Sequence, residues 1–198
     1  MSQKKSTFLN MALALIVITI VAGFSLGFVN DLTLEPKAKA KLAKKVNALK
    51  MVLPVFDNDL VSEMVRIKSE VVKDSIEIYP AYLNGKFVGA AVIGASEKGF
   101  SGLVKIMVGF KPDGNIQDIV VLEQKETPGL GTKMKEEKFL GQFRDKNPSS
   151  FDLKVTKDGG EVDALTGATI STRAFTEAAQ SAYNEYVEIK ESLTKANK

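Results

Sequence analysis

Three features of the amino-acid sequence predict an α+β protein: a single N-terminal transmembrane helix followed by one domain with a mainly antiparallel sheet packed by helices. Phe8 to Val29 runs 22 residues without a charge. Between Ser75 and Glu123 apolar residues alternate with polar ones, interrupted by short turn sequences, as in strands joined by hairpins. Beyond Thr169 alanines recur every fourth position, the spacing of a helix face suited to close packing on a sheet.

At about 1.5 Å per residue the first stretch spans about 33 Å, enough for a hydrocarbon core of about 30 Å. A cleaved signal peptide would share its positive start at Lys4 and Lys5. The run exceeds the usual signal core, however, and no small-residue cleavage pattern follows. Gly23 and Gly27, four apart, offer a face for close helix contact. Charge and length disagree about orientation. Lys37, Lys39, Lys41, Lys44 and Lys45 lie where the positive-inside rule counts them and would hold the domain in the cytoplasm, whereas long domains translocate largely regardless of charge. Glu35 to Leu53 is amphipathic, with Leu42, Val46, Leu49 and Val52 or Leu53 on one face, and Pro54 ends it. Phe56 to Asp74 reads as a connection with room for one strand.

The strands then follow in order. Ile76 and Ile78 alternate with polar neighbours, Pro80 marks an edge or bulge, and Asn84-Gly85 is a hairpin turn before Phe87 to Ile93. Gly94 to Gly102 reads as a loop. Leu103 to Phe110 places Val104, Ile106, Val108 and Phe110 on one face, Pro112-Asp113-Gly114-Asn115 turns the chain, and Ile116 to Glu123 returns. Four strands with short turns predict an antiparallel sheet, and no G-x-G-x-x-G or Walker sequence is present. Lys135 to Asp145 reads as a helix with Phe139, Leu140 and Phe143 inward, and Phe151 to Thr156 as a strand closed by Asp158-Gly159-Gly160. The last helix carries Ile170, Ala174, Ala178 and Ala182 in one row, with Phe175, Ala179, Tyr183 and Tyr186 beside it. Its lysine-rich end frays in this reading.

Composition excludes much. Cysteine and histidine are both absent, which removes disulfides, Cys/His zinc sites, cysteine-ligated clusters, haem attachment through C-x-x-C-H and Ser-His-Asp catalysis. Electrons, if the protein handles them, must travel on an organic cofactor. The formal charge is +3, of which Lys4 and Lys5 supply two. The remainder is therefore nearly neutral, and no nucleic-acid partner is expected.

Two short stretches carry the functional reading. Asp163-x-x-Thr166-Gly167-Ala168-Thr169 leads straight into the last helix, where free N–H groups and the positive dipole end suit a phosphate. As an ordinary helix start the same residues would call for no special reading, since Ser, Thr and Asp are common caps. Glu126-Thr127-Pro128-Gly129-Leu130-Gly131 follows the fourth strand, with Pro and Gly in the order a type II turn requires.

Together the two stretches resemble the hallmarks of the FMN-binding domain family. It includes the G subunit of Rnf-type electron-transport complexes and the C subunit of the sodium-pumping NADH:quinone reductase. The resemblance covers roughly Tyr79 to Ala182 and implies FMN held by a phosphoester on Thr169, attached by a separate flavin transferase. It further implies Glu126, Thr127, Leu130 and Gly131 near the flavin ring, with Thr166, Gly167 and Ala168 near the phosphate. Asp163 is left to order the turn or to be read by the transferase. Lys133 and Arg173 are candidates to offset phosphate charge. Family members often have a histidine two positions before that glutamate, where this chain has Gln124.

The organisation implied is a tail over 1–7, a transmembrane helix over 8–29, an amphipathic helix and connection over 30–74, an FMN-binding domain over 75–189 and a tail over 190–198. The function implied is that of a membrane-anchored redox subunit with no independent catalysis. Its partners would be other membrane subunits, the transferase and the lipid bilayer, with the FMN domain outside the cytoplasmic membrane. The absence of an extra segment between anchor and domain favours the Rnf-type relative. Two other classes stay open: a tethered module binding a free phosphorylated ligand, and an assembly subunit that only bridges partners.

Overall fold

The computed structural model describes residues 8–67 and 76–195. The expected N-terminal tail, residues 68–75 of the connection and the last three residues lie outside them.

The chain divides into two units, 1–44 and 45–198. Within the first, α1 (Phe8–Val52) begins with an apolar stretch of mean hydropathy 2.6 in which no residue is buried. It is long and apolar enough to cross a membrane. Both of its threonine hydroxyls bond inside the helix, Thr19 to the Ile16 carbonyl at 2.9 Å and Thr33 to that of Val29 at 2.8 Å. The two helices read from the sequence are one: Pro36 sits inside α1, where it withdraws one N–H from the ladder without ending the helix.

The second unit is built on a five-stranded antiparallel sheet in sequence order, β1 (Val65–Ile67), β2 (Ile76–Leu83), β3 (Lys86–Gly99), β4 (Gly102–Phe110) and β5 (Ile116–Glu123). Asn84 and Gly85 turn β2 into β3 with φ of 50° and 73°, the positive pair that a tight hairpin requires. Alternation sorts the side chains to two faces. One carries Ile78, Val92, Val104, Ile106, Val108 and Phe110 beneath α3 (Thr169–Lys195); the other carries Tyr79, Ala91, Ile93 and Met107 against Ala48, Leu49 and Val52 at the end of α1.

β3 is longer than the sequence suggested. Residues 94–99, read as loop, are strand because they continue the ladder with β4, from Gly94 opposite Ile106 to Gly99 opposite Gly102, and Gly94 is a contact point: a Cβ there would lie 2.0 Å from the Ala178 carbonyl oxygen of α3. Its missing side chain admits the helix backbone, which in sequence looks like a break.

Two further expectations fail in instructive ways. Of Lys135 to Asp145 only α2 (Glu137–Leu140) is α-helical. Phe139, Phe143 and Phe175 do form one aromatic cluster with centroids 5.0–5.4 Å apart. The backbone, however, is drawn to β5, where Asp145 N–H donates to Ile116 O and Ile116 N–H to Lys146 O, each at 2.9 Å. Phe151, Leu153 and Val155 alternate inward as a strand would, yet they join no sheet. The chain loops round through Gly159, at φ 86°, so that Val162 pairs with Val155 in an isolated parallel bridge. At the other end α3 stays helical to Lys195, its Leu193 buried and the Leu193 carbonyl accepting the Tyr82 hydroxyl at 3.3 Å.

Candidate functional site

Two turns of the same construction meet beside the start of α3. In Thr127-Pro128-Gly129-Leu130 the Leu130 N–H donates to Thr127 O at 3.1 Å; in Leu165-Thr166-Gly167-Ala168 the Ala168 N–H donates to Leu165 O at 2.9 Å. Gly129 and Gly167 occupy the third position of each with φ of 76°, the conformation that makes a type II turn and favours glycine. The turns touch, since a Cβ on Gly167 would sit 3.3 Å from Leu130 Cδ2.

Between them opens a cavity of about 450 Å³. Seven residues singled out in the sequence line it: Glu126, Thr127, Leu130 and Gly131 from one stretch, Gly167, Ala168 and Thr169 from the other. Asp163 and Thr166 do not. They line a separate cavity of about 350 Å³ together with Lys133, Lys138 and Gln142. Arg173 is also elsewhere, at a groove of about 500 Å³ on the outer side of α3. There it grips Asp158 with two bonds of 2.7 Å and holds that carboxyl below the usual carboxylate range. That groove is the larger, but its charges are largely paired among themselves, Lys98 with Glu177 at 2.6 Å as well as Arg173 with Asp158.

Glu126 is the buried centre of the cavity wall, only 3% exposed. Its Oε1 accepts Ser101 N–H at 3.0 Å and its Oε2 accepts the Ser171 hydroxyl at 2.5 Å, while its own N–H donates to Gln124 Oε1 at 2.6 Å. Both carboxylate oxygens are thus engaged by protein, as a buried charge requires. Gln124, a neutral residue, fixes the loop by accepting where a donor is presented.

The first turn of α3 presents the complementary half. Its hydrogen-bond ladder begins with Thr172 N–H to Ala168 O at 3.0 Å, leaving the N–H groups of Thr169, Ile170 and Ser171 without a partner inside the helix. Thr172 staples the turn, accepting Leu165 N–H at 3.1 Å and donating to Ala168 O at 2.9 Å. Ser171 is held by Glu126 and Thr176 by the Arg173 carbonyl. Thr169, half-buried at the cavity, is the hydroxyl of these first turns that no other described residue engages.

Sequence reasoning missed four residues here: Phe100, Lys157, Ile170 and Ser171. Lys157 is the cation among the residues lining this cavity, a place the sequence reading gave to Lys133 or Arg173. Ile170, counted in the buried row of α3, is 48% exposed, because the first turn of the helix packs on the 126–131 loop and not on the sheet. A glycine-bounded Gly99-Phe100-Ser101-Gly102 tip was the signal available for Phe100.

The donor set fits a group with a phosphate and a flat apolar ring. One end offers helix N–H groups and a Thr169 hydroxyl that no described residue engages, together with Lys157; the mouth offers Phe100, Leu130 and Ile170. The volume lies within the roughly 300–1,000 Å³ of cofactor sites.

Comparison with known proteins gives a consistent result. The FMN-binding domain matches residues 99–184. The G subunit of the ion-translocating oxidoreductase complex of Aliivibrio fischeri (strain MJ11) is 34% identical over 202 residues, covering 97% of this chain and 94% of its own length. The G subunit of the proton-translocating ferredoxin:NAD(+) oxidoreductase complex of Clostridium ljungdahlii is 36% identical over 110 residues, covering 54% and 58%. Among solved structures, NqrC of Shewanella oneidensis shares the fold with a TM-score of 0.50 at 20% identity, covering 74% of this chain and 73% of its own.

Proposed function

The chain belongs to the family of G subunits of ion-translocating oxidoreductase complexes and carries an FMN-binding domain, and from that premise we propose that it is a membrane-anchored electron carrier with FMN bound covalently through Thr169. The observation that carries this reading is the meeting of both motif stretches at one cavity, with the unengaged Thr169 hydroxyl at its edge. When bound, FMN supplies reversible acceptance and release of electrons, a role that thiol pairs or Cys/His-ligated metal centres cannot fill in a chain without cysteine or histidine.

The residues divide the work. Thr169 Oγ1 is the attachment point. The free N–H groups of the α3 start and the Lys157 ammonium offset the phosphate charge. Gly167 and Ala168 let backbone come close to it, while Thr127, Leu130 and Gly131 flank the ring. Glu126 orients both loops. A phosphate link constrains only one end of the group, so these noncovalent contacts set the ring's orientation. Asp163 and Thr166, which face the neighbouring cavity, form the part of the motif open to the flavin transferase while the first cavity receives its product.

The membrane anchor is α1, and the domain lies on the extracytoplasmic face, as the resemblance implies. Donor and acceptor are other subunits of an Rnf-type complex that couples electron transfer to Na⁺ or H⁺ movement, and catalysis belongs to that assembly. Because the chain has no cysteine, one engineered cysteine in the domain and a membrane-impermeant thiol reagent read the orientation directly.

The central test is intact mass. Protein made with a flavin transferase gains one FMN, protein made without it gains none, and Thr169→Val gains none in either host. An unmodified parent chain in the presence of active transferase sinks the carrier reading in favour of a bridging subunit or a module for a free phosphorylated ligand.

A further inference from the structure

We propose, resting on the flavin reading above, that Phe100 is the aromatic wall against which the flavin ring lies, held in place through the Glu126 carboxylate.

Phe100 sits at the tip of the β3–β4 hairpin and is 69% exposed. A single exposed apolar side chain needs no explanation. Here, however, Leu130 at 42% and Ile170 at 48% reach the same cavity from two other segments. Three elements, distant in sequence, each spend a large apolar side chain on one mouth.

The tip is not a loose loop. Glu126 Oε1 accepts the N–H of Ser101, the residue after Phe100, and a Cβ on Gly99, the residue before it, would lie 2.7 Å from the same oxygen. The other oxygen holds Ser171, the residue after Ile170. One buried carboxylate therefore anchors the neighbours of both Phe100 and Ile170, and sets how far apart these side chains stand at the cavity. Nothing about hairpin stability calls for that link between a sheet tip and a helix start. A rigid slot for a planar ring does, because aromatic rings favour offset or edge-on contact at a fixed spacing.

The experiment uses the full chain in detergent, flavinylated by a transferase and checked by mass, so that attachment and ring contact are read separately. In those molecules of Phe100→Ala that carry the flavin by mass, the balance between docked and free ring shifts by roughly fivefold whatever the extent of attachment. It is read as lower flavin anisotropy and greater quenching by iodide. Phe100→Leu recovers part of the anisotropy by restoring apolar area. Phe100→Trp keeps the ring docked and quenches flavin emission by contact. Far-ultraviolet circular dichroism stays the same in all three, as expected for an exposed position. Flavinylated Phe100→Ala with unchanged anisotropy and iodide quenching overturns the proposal while leaving the Thr169 reading intact. Unchanged flavin signals together with lost assembly into the complex overturn it as well, and assign the apolar mouth to a contact with another subunit. A parent chain that never gains mass removes both.

Discussion

The 126–131 loop and the 163–169 loop use the same turn, each with a glycine at φ 76°, yet they present opposite things to the cavity between them. The first sends a carboxylate inward, buried and fully bonded by the hairpin tip and α3. The second leaves a hydroxyl half-buried with no partner among the described residues and splits its own motif between two cavities. The contrast teaches that matching backbone devices do not mean matching roles. One loop is a clamp whose polar group is consumed by protein; the other is a platform whose polar group is left available to chemistry.

The largest expected effect tests that division directly. Thr127 and Thr169 both line the cavity, but Thr127→Val keeps the FMN mass gain whereas Thr169→Val abolishes it, and Thr169→Ser retains part of it because the hydroxyl survives. Loss of the gain in Thr127→Val breaks the comparison. Next in size is the clamp: Glu126→Ala strands Ser101 N–H and the Ser171 hydroxyl, costing about 3 kcal/mol in urea unfolding, while Glu126→Gln, which still accepts hydrogen bonds, costs less. A third, smaller effect addresses the shared turn, where Gly129→Ala and Gly167→Ala each cost about 1–2 kcal/mol of left-handed strain. Gly167→Ala exceeds Gly129→Ala because its new methyl meets Leu130 at 3.3 Å; equal losses in thermal melts would show that the two loops do not press on one another. The smallest difference separates two cations. Lys157→Gln lowers the extent of flavinylation at limiting transferase, and Arg173→Gln leaves it unchanged, since Arg173 is spent on Asp158. The reverse order would return the phosphate role to Arg173.

Much of this was legible in the sequence for identifiable reasons. Strand alternation in Leu103 to Phe110 and the Asn84-Gly85 turn follow from local backbone preferences, and the structure has both. The meander follows in turn, because short turns leave consecutive strands no other neighbour. Gly94 was misread as a break, since its meaning lies in Ala178, far along the chain. Phe151 to Val155 showed the right alternation and the wrong partner: period reports burial, while pairing depends on which backbone is free nearby.

The sequence alone determined that this chain has one apolar segment of membrane-spanning length, an antiparallel α+β domain, two glycine turns of known type and neither cysteine nor histidine to ligate a redox metal centre, because each follows from residue chemistry or spacing along the chain. Only the tertiary structure decided which of the motif residues share a cavity, that Glu126 is a clamp, that Lys157 replaces Lys133 and Arg173 as its cation, and that Phe100 and Ile170 stand at its mouth. Those are relations between segments brought together by packing on the sheet, and no local rule encodes the distance between them.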